Sequence, residues 1–535
     1  MTPDPALEPR LDWDDIQGNI LGGFNKDHQT LIGLEFGPDV GQNKRFLLDL
    51  AKRVTPLKAV LSYKITRARL LLESGEEPTS LKAVWTAAAF SFDALRTLTS
   101  DADSFTDLEF RQGLPKSSAR LGDPTAKDGV NDFSEWVIGA PGRIPDVLII
   151  VAGDDVAELA DAVTSIIRSA SSFGLNNIYE ETGHDLSHYS DEDHTFPSGH
   201  EHFGFKDGIS QPGIRGVLPN GRFLTERTIK ANDPDDSSPE YAEVGKPLVC
   251  AGQFVLGYAQ QIDTAPRQAG PPRPLGSQPN PIAPSWAGNG SFLVFRRLRQ
   301  DVAAFYAFVN DNASAIGRTD LGPERLAAML VGRWPSGAPV IRTPLQDDPK
   351  QATRSRINAF AYSSDNISLN LPNDSQGVIC PIAGHVRKVN PRDGDTNIGF
   401  ASATLTVRIL RRGIPYGKPF DPKAPESPPA DRGLLFLSYQ AAIAQQFEFL
   451  CTNWMNNALL PRNPSGHTEG LGFDMLVGQQ FFGRVRSAYL RFAPDGTQDI
   501  SVTNQNSLVK DWVVPTGGGY FFAPSISTLA NVLGG

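Results

Sequence analysis

The sequence predicts a protein of mixed strands and helices in two halves, and three observations carry that expectation. The run Val147-Leu-Ile-Ile-Val151 is short, β-branched and continuously apolar, as a strand covered on both faces would be. Directly after it, Asp154 opens a segment with apolar residues at Val156, Leu159, Val163, Ile166 and Ile167, the spacing of one helix face. Far downstream, Ala403 to Tyr416 alternates: Leu405, Val407 and Ile409 point one way and Thr404, Thr406 and Arg408 the other, the period of a half-buried strand.

The remaining segments fit around these. Arg45 to Val54 and Ala83 to Leu98 read as helices. Gly183 to His200 turns polar, acidic and histidine-bearing, and reads as the connection between an N-terminal half, 1–195, and a C-terminal half, 196–535. Pro266 to Pro284 reads as a long loop rich in Pro, Gly, Gln and Ser, and Lys418 to Pro429, with five prolines, as a second break.

Composition excludes several classes of function. The 535 residues suffice for two or three domains, and 40% hydrophobic with 21% charged residues is ordinary for a globular protein. A net charge of −10 without a basic block argues against a nucleic-acid or anionic-membrane partner. No apolar stretch approaches the roughly 20 residues of a membrane helix. Cys250, Cys380 and Cys451 stand far apart, so neither a zinc knuckle nor a disulfide framework is expected. The start, MTPDPALEPRLDWDD, lacks the basic and apolar runs of a secretory signal, so a cytoplasmic product is expected if it is the native start.

Three segments could carry chemistry. Glu201 to Gln211 contains Gly204-Phe-Lys-Asp207-Gly208, a carboxylate framed by two glycines. Glycines let a backbone turn tightly and approach a flat ligand, and a carboxylate there can move a proton; Asp-Gly is equally the dipeptide of a plain hairpin turn. Val378 to Arg392 reads as a helix between Pro381 and Asn390-Pro391, with His385 on the stripe formed by Ile382, Val386 and Val389. That histidine points inward, either as a core residue bonded to a carbonyl or as a metal or haem ligand. Extending the parity of the 403–416 strand puts Arg411 on its apolar face and Arg412 on its polar one. A guanidinium on a buried face needs an anion, from a structural acid or a ligand. An inward His, a buried-face Arg and a glycine-framed Asp together suit peroxide chemistry, which needs an axial ligand, a fixed positive charge and a base.

The chain resembles the dye-decolourising peroxidases, in the longer group of fungi and some bacteria. The resemblance rests on an ordered set: Asp15-Ile-Gln-Gly-Asn-Ile-Leu21, the GxxDG of Gly204 to Gly208 followed by Ile-Ser-Gln-Pro212, Gly252-Gln-Phe-Val-Leu-Gly257, Asn289-Gly-Ser-Phe-Leu-Val294, Val331-Gly-Arg-Trp-Pro-Ser-Gly337 and Gly519-Tyr-Phe-Phe-Ala-Pro524. It implies an α+β fold of two ferredoxin-like domains, each an antiparallel sheet with packed helices. It implies haem b (iron protoporphyrin IX), H2O2, and aromatic reductants such as dyes and phenols, oxidised through an oxyferryl porphyrin radical.

By motif, His385 would be the iron ligand, Asp207 the acid–base residue and Arg411 the charge that stabilises O–O cleavage. Arg392 would hold a propionate, Asp474 of Gly472-Phe-Asp-Met475 would bond the proximal histidine, and Leu434 and Phe436 would narrow the distal pocket. From sequence, Asp474 is equally suited to cap the segment after it. Tyr416 and Trp454 are similar to surface aromatic residues that relay electrons to bulky dyes, though either could be ordinary packing. Shorter bacterial members carry an asparagine two positions beyond the arginine, where this chain has Gly413. A homo-oligomer is compatible with the resemblance.

Two rival readings belong to other classes. His184, His188, His194, His200 and His202, beside Asp185, Asp191, Glu192 and Asp193, could build a non-haem metal site, although as a loop without an HExxH motif they read more simply as a polar connector. Alternatively the chain could handle haem without turnover, for which Asp207 and Arg411 would be superfluous.

Overall fold

The strand predicted at Val147 to Val151 runs over Val147–Gly153 and is buried along its whole length. In chain order it is β3, after β1 (His28–Glu35) and β2 (Val84–Phe90) and before β4 (Asn176–His184). The computed structural model describes residues 9–535 apart from 77, 79–80, 125–131, 192–193, 218–240, 244, 263–275, 281, 363–370, 395, 400, 424–425, 427–429, 462–471, 480–485, 494–498 and 505–510.

The N-terminal unit is ferredoxin-like. Helices α1 (Val40–Ala51) and α2 (Leu57–Ser74) join β1 to β2, α3 (Phe92–Leu98) follows β2, and α4 (Val156–Ser172) joins β3 to β4. The strands lie in the antiparallel order β2-β3-β1-β4. Helix α4 starts one residue later than expected: the Asp155 carboxylate accepts the N–H groups of Ala157 and Glu158, while Asp154 bonds Lys26, Tyr63 and Ala83. Its Leu159, Val163, Ile166 and Ala170 form one buried stripe.

The C-terminal unit repeats the plan with β5 (Ser291–Gln300), the interrupted pair β6 (Leu410–Arg411) and β7 (Ile414–Tyr416), β8 (Gly433–Gln440) and β9 (Val513–Ala523). Their antiparallel order is β9-β5-β8, with β6 and β7 along the free edge of β8. Helices α5 (Val302–Ile316), α6 (Pro323–Val331) and the short α7 (His385–Val389) fall between β5 and β6. The expectation of two ferredoxin-like units holds. They are also continuous: β2 pairs β9 through Phe90 and Phe522, and β4 pairs β7 through Gly183 and Tyr416, closing one nine-stranded sheet into a barrel. The boundary placed at 195/196 falls between β4 and β5.

Strand parity sorts side chains between the barrel interior and its outer face. One buried cluster takes Leu31, Trp85, Ile150, Tyr179, Leu293, Leu410, Ile414, Leu437 and Phe521, one from each of the nine strands, and so fills the interior. Each such burial is worth roughly 1.5–3 kcal/mol. The alternate residues, Ile32, Ile149 and Val294 among them, belong to a second buried cluster on the outer face, which on the N-terminal unit includes residues of α1 and α4. On β5 and β8 the same outward parity carries Arg296, Leu298, Leu434 and Phe436.

Five expectations need correction. Ala83 to Leu98 is not one helix: Val84–Phe90 is β2 and only Phe92–Leu98 is helical. Pairing with β3 overrides the helix propensity of Ala87-Ala88-Ala89. Ala403 to Tyr416 is not one strand either, because Ala401–Val407 winds into tight turns before β6. Helix α7 begins at His385, not Pro381, because Gly384 is extended and a Cβ there would stand 2.8 Å from the Met329 carbonyl oxygen. Gly183 and His184 belong to β4 rather than to the connection. The loop expected from Pro266 to Pro284 contains a short strand, Gly276–Pro279, paired with Ala259–Gln261; 266–275 and 281 lie outside the described residues, as does part of the break at 418–429.

Candidate active site

A cavity of about 310 Å³ lies between the outer face of β5 and β8, helix α7 and the loop that carries Asp207. His385, the first residue of α7, lines one wall. Its Nδ1 lies 2.7 Å from Oδ2 of the fully buried Asp474. The other carboxylate oxygen accepts the N–H groups of Leu476 and Val477 at 3.0 and 3.1 Å, so Asp474 caps its own turn and holds the histidine at once. A carboxylate at Nδ1 fixes the tautomer that leaves the Nε2 lone pair free. Helix α7 is pinned from behind: Lys388 Nζ donates to the carbonyls of Leu460 and Gly472 at 2.8 and 2.6 Å, and Arg387 pairs with Asp374 at 2.9 Å. Burial pushes the Lys388 ammonium down to about 7.

Asp207 and Arg411 also line the cavity and meet at 2.6 Å. Gly204 and Gly208 take φ of +86° and +70°, so the turns on either side of Asp207 require the freedom of glycine. Burial works against the Asp207 charge, but Arg411 and the Gly208 N–H outweigh it and hold the carboxyl below its ordinary value. Val407, Ile409 and Arg411 all line the cavity, but so does Arg408 from the face expected to be polar, and Leu405 packs elsewhere, so the predicted parity is lost together with the strand structure. Arg412 points the other way and caps the carbonyls of Asn19, Ile20 and Leu21.

Two supports hold the Asp207 loop. The Glu201 carboxylate accepts the N–H groups of Phe203 and Phe205 and the Gln300 amide at 2.9, 3.0 and 2.6 Å, and burial pushes it up to about 7. On the other side, the Asp207 N–H donates to the Gly199 carbonyl at 2.9 Å. Gly199 N–H and the Ser198 hydroxyl in turn donate to Asp185 Oδ2 at 2.7 and 3.0 Å. Asp185 immediately follows β4, so the acid is suspended from the N-terminal unit.

Comparison with known proteins agrees with this arrangement. Residues 15–185 match the model of the DyP dimeric alpha+beta barrel domain, and 281–462 that of the Dyp-type peroxidase C-terminal region. The chain is 33% identical over 540 residues to the dye-decolorizing peroxidase of Mycena epipterygia, covering 98% of this chain and 88% of that protein. It is 30% identical to peroxidase 2 of Mycetinis scorodonius, covering 99% and 89%. The chain belongs to the dye-decolourising peroxidase family. Among solved structures, an ancestral D-type dye-decolorizing peroxidase superposes with a TM-score of 0.74 at 30% identity, and a variant of the Pleurotus ostreatus enzyme with 0.75 at 28%; each alignment covers 98% of this chain and all of the other.

Dye-decolourising peroxidases are haem enzymes, and the residues around the cavity fit that group. His385 offers Nε2, and Leu434, Phe436, Val386, Val389, Leu450 and Leu476 supply apolar walls. Arg333 and Arg408 add buried positive charge: burial, and for both the neighbouring Arg392, push each guanidinium down to about 9. Cations destabilised in this way favour anionic groups such as propionates. Arg392 itself does not line the cavity. It donates to the carbonyls of Asn358 and Phe360 and stacks over the Phe360 ring at 3.6 Å.

Neither aromatic residue expected at the surface of this peroxidase is there. Trp454 is fully buried, its Nε1 donating to Asn397 at 2.9 Å. Tyr416 is 3% exposed; its hydroxyl donates to Asp431 at 3.1 Å and its ring lies under the Arg297 guanidinium. Both sit where their hydrogen bonds are satisfied and their rings are packed.

The histidines of 184–202 do not converge. His194 lies near Asp191 and Asp421, His200 bonds the carbonyls of Ser198 and Pro335, and buried His202 bonds the Tyr416 carbonyl. Glu192 and Asp193 lie outside the described residues. His184 and His188 instead meet His28, which sequence reasoning did not connect with them. Sequence reasoning also missed Glu201, Arg333, Arg408 and the buried Arg296–Asp123 pair at 2.6 Å on the cavity wall. Arg333 and Glu201 lay within quoted segments, but nothing in their spacing marked a role. The three cysteines are free and buried. No helix among the described residues is long and apolar enough to cross a membrane.

Proposed function

We propose that this peroxidase uses Asp207 and Arg411 to handle H2O2 above a haem b held by His385, and oxidises phenols and aromatic dyes. The 2.6 Å contact of Asp207 and Arg411 on the wall of the cavity that His385 also lines carries this reading. When bound, the haem would supply the iron and a macrocycle that hold the two oxidising equivalents delivered by H2O2 until reductants discharge them. Asp207, ionised at rest, takes a proton from entering peroxide and returns it to the oxygen that leaves as water. Arg411 gives up part of its contact with Asp207 and stabilises the negative charge that grows on that oxygen. Asp474 keeps Nδ1 of His385 occupied, which directs Nε2 toward the cavity and makes the ring a stronger donor. Arg333 and Arg408 would receive the carboxylates of the bound group, and Leu434 and Phe436 would limit entry to small oxidants.

The test is the absorption spectrum of haem-loaded protein mixed with one equivalent of H2O2. A Soret band that bleaches and shifts, then recovers with a reducing dye, is expected. Asp207→Asn should slow the peroxide step by about 10²- to 10⁴-fold, the usual contribution of a positioned base. Arg411→Leu should slow it by about 10²- to 10³-fold. A band that peroxide leaves unmoved in the parent protein would overturn the proposal in favour of haem carriage.

A further inference from the structure

We infer that His28, His184 and His188 form a binding site for one borderline divalent cation, of which Zn2+ is the type, apart from the peroxidase cavity. The three rings each bring one ligand nitrogen into a group whose members all lie within 4.8 Å of one another. His28 is the first residue of β1 and His184 the last of β4, and the two are cross-strand partners. Their Nδ1 atoms face each other at 2.8 Å. Two neutral imidazoles in that position share a single hydrogen. A shift of that hydrogen to the far nitrogen of its own ring leaves two lone pairs directed at one point, with no net loss of a proton.

His188 completes the group from the turn Leu186–Tyr189. Its ring centroid lies 4.5 Å from that of His184 and 5.0 Å from that of His28. The turn is fixed independently of any ion. The Asp185 N–H donates to the Asp27 carbonyl at 2.7 Å, the Asp185 carboxylate accepts the Ser187 N–H at 3.0 Å, and the His188 N–H donates to the Asp185 carbonyl at 3.0 Å. The ligands therefore sit on a strand start, a strand end and a capped turn, and ordering them costs little on binding.

Tetrahedral zinc with Zn–N bonds near 2.0–2.1 Å places nitrogens about 3.3 Å apart, so the His28–His184 contact opens by about half an ångström and His188 swings in. Three imidazoles without a thiolate select zinc, copper(II) or nickel(II) over calcium and magnesium. His28 is buried, His184 half-buried and His188 exposed, which gives the ion a way in and leaves its fourth position to water.

The test uses haem-loaded protein freed of loosely bound metal, so that His385 is occupied. Calorimetric titration with Zn2+ should give one ion per chain. Changes beyond the ligands alone cost 10- to 100-fold in affinity, so His188→Asn, which removes a ligand at an exposed position, should cost about 100-fold or more. His194→Asn, outside the group, should leave binding unchanged. Cu2+ should give an electron paramagnetic resonance signal split by imidazole nitrogens, and His188→Asn should alter it. An unchanged response of the Soret band to peroxide in His188→Asn verifies that the variant is folded. No binding up to millimolar Zn2+, equal binding in parent and His188→Asn, or loss of binding in His194→Asn would overturn the inference.

Discussion

At the distal wall a carboxylate and a guanidinium neutralise each other, and this sets the pH behaviour of the site. Arg411 holds Asp207 below the ordinary aspartate value near 3.9, so this carboxylate, the proposed base, remains ionised in acid where a histidine would be protonated. Activity that depends on ionised Asp207 is present above its depressed pKa and lost as pH falls through it. Glu201 has the opposite shift: it is neutral below about 7 and, on ionising, adds a second negative charge near Asp207. Dye oxidation should therefore peak in acid and decline through neutrality, and Glu201→Gln should flatten the neutral decline while leaving the acid limb in place. A rate that stays level from pH 4 to 9 would contradict both assignments. On the other wall, Asp474→Asn should weaken haem retention or the peroxide step by about 10- to 100-fold, read by haem loss to an acceptor protein and by stopped flow. Asp207 was legible because the two glycines that its turns need stand beside it in the chain. The pairing of Asp474 with His385 was legible only through the family resemblance, because 89 positions separate them and the fold alone brings them to 2.7 Å.

Elements whose burial has one period were legible, and those whose surroundings override propensity were not. The all-apolar run of β3 and the stripe of α4 need no partner to be recognised. β2 does: its three alanines favour a helix until β3 and the barrel interior claim them. Segment 401–411 misleads in the same way: its alternation suggests a strand, but its backbone pairs only at Leu410–Arg411, and Arg408 reaches the cavity beside Val407, Ile409 and Arg411. The same limit applies to the aromatic residues: the family resemblance suggested an electron relay at the surface, but the structure buries both. Trp454 packs with Val407 and Leu450, which line the cavity, and its ring lies 5.3 Å from that of Phe449. If electrons pass this way they do so through the interior, so Trp454→Phe should lower turnover of bulky dyes several-fold more than that of small phenols, with Tyr416→Phe behaving alike. Equal losses for both substrate classes in steady-state kinetics would mean that the two rings only pack.

Over the whole molecule, the ring of strands closes through two narrow seams, Phe90 with Phe522 and Gly183 with Tyr416. Neither unit alone would cover its sheet edges, so unfolding is expected to be shared between them. The order of strands within each unit follows from a βαββαβ pattern that the apolar periodicity partly displays. The seams are invisible in sequence, because a single residue pair leaves no pattern.

The suspension of Asp207 from Gly199, and of Gly199 from Asp185, assigns the two walls of the cavity to different landlords. His385, the proposed iron ligand, belongs wholly to the C-terminal unit, whereas Asp207 hangs by two backbone contacts from the end of the N-terminal one. Cofactor capture and reaction with peroxide should thus come apart under a single substitution. Asp185→Ala should load haem to the parent level and still bleach about tenfold or more slowly with H2O2, a loss within the range ascribed to an imprecisely placed catalytic group. Equal impairment of loading and reaction would mean that the tether merely supports the fold. Otherwise the speed of the peroxide step is set from the half of the chain that does not carry His385.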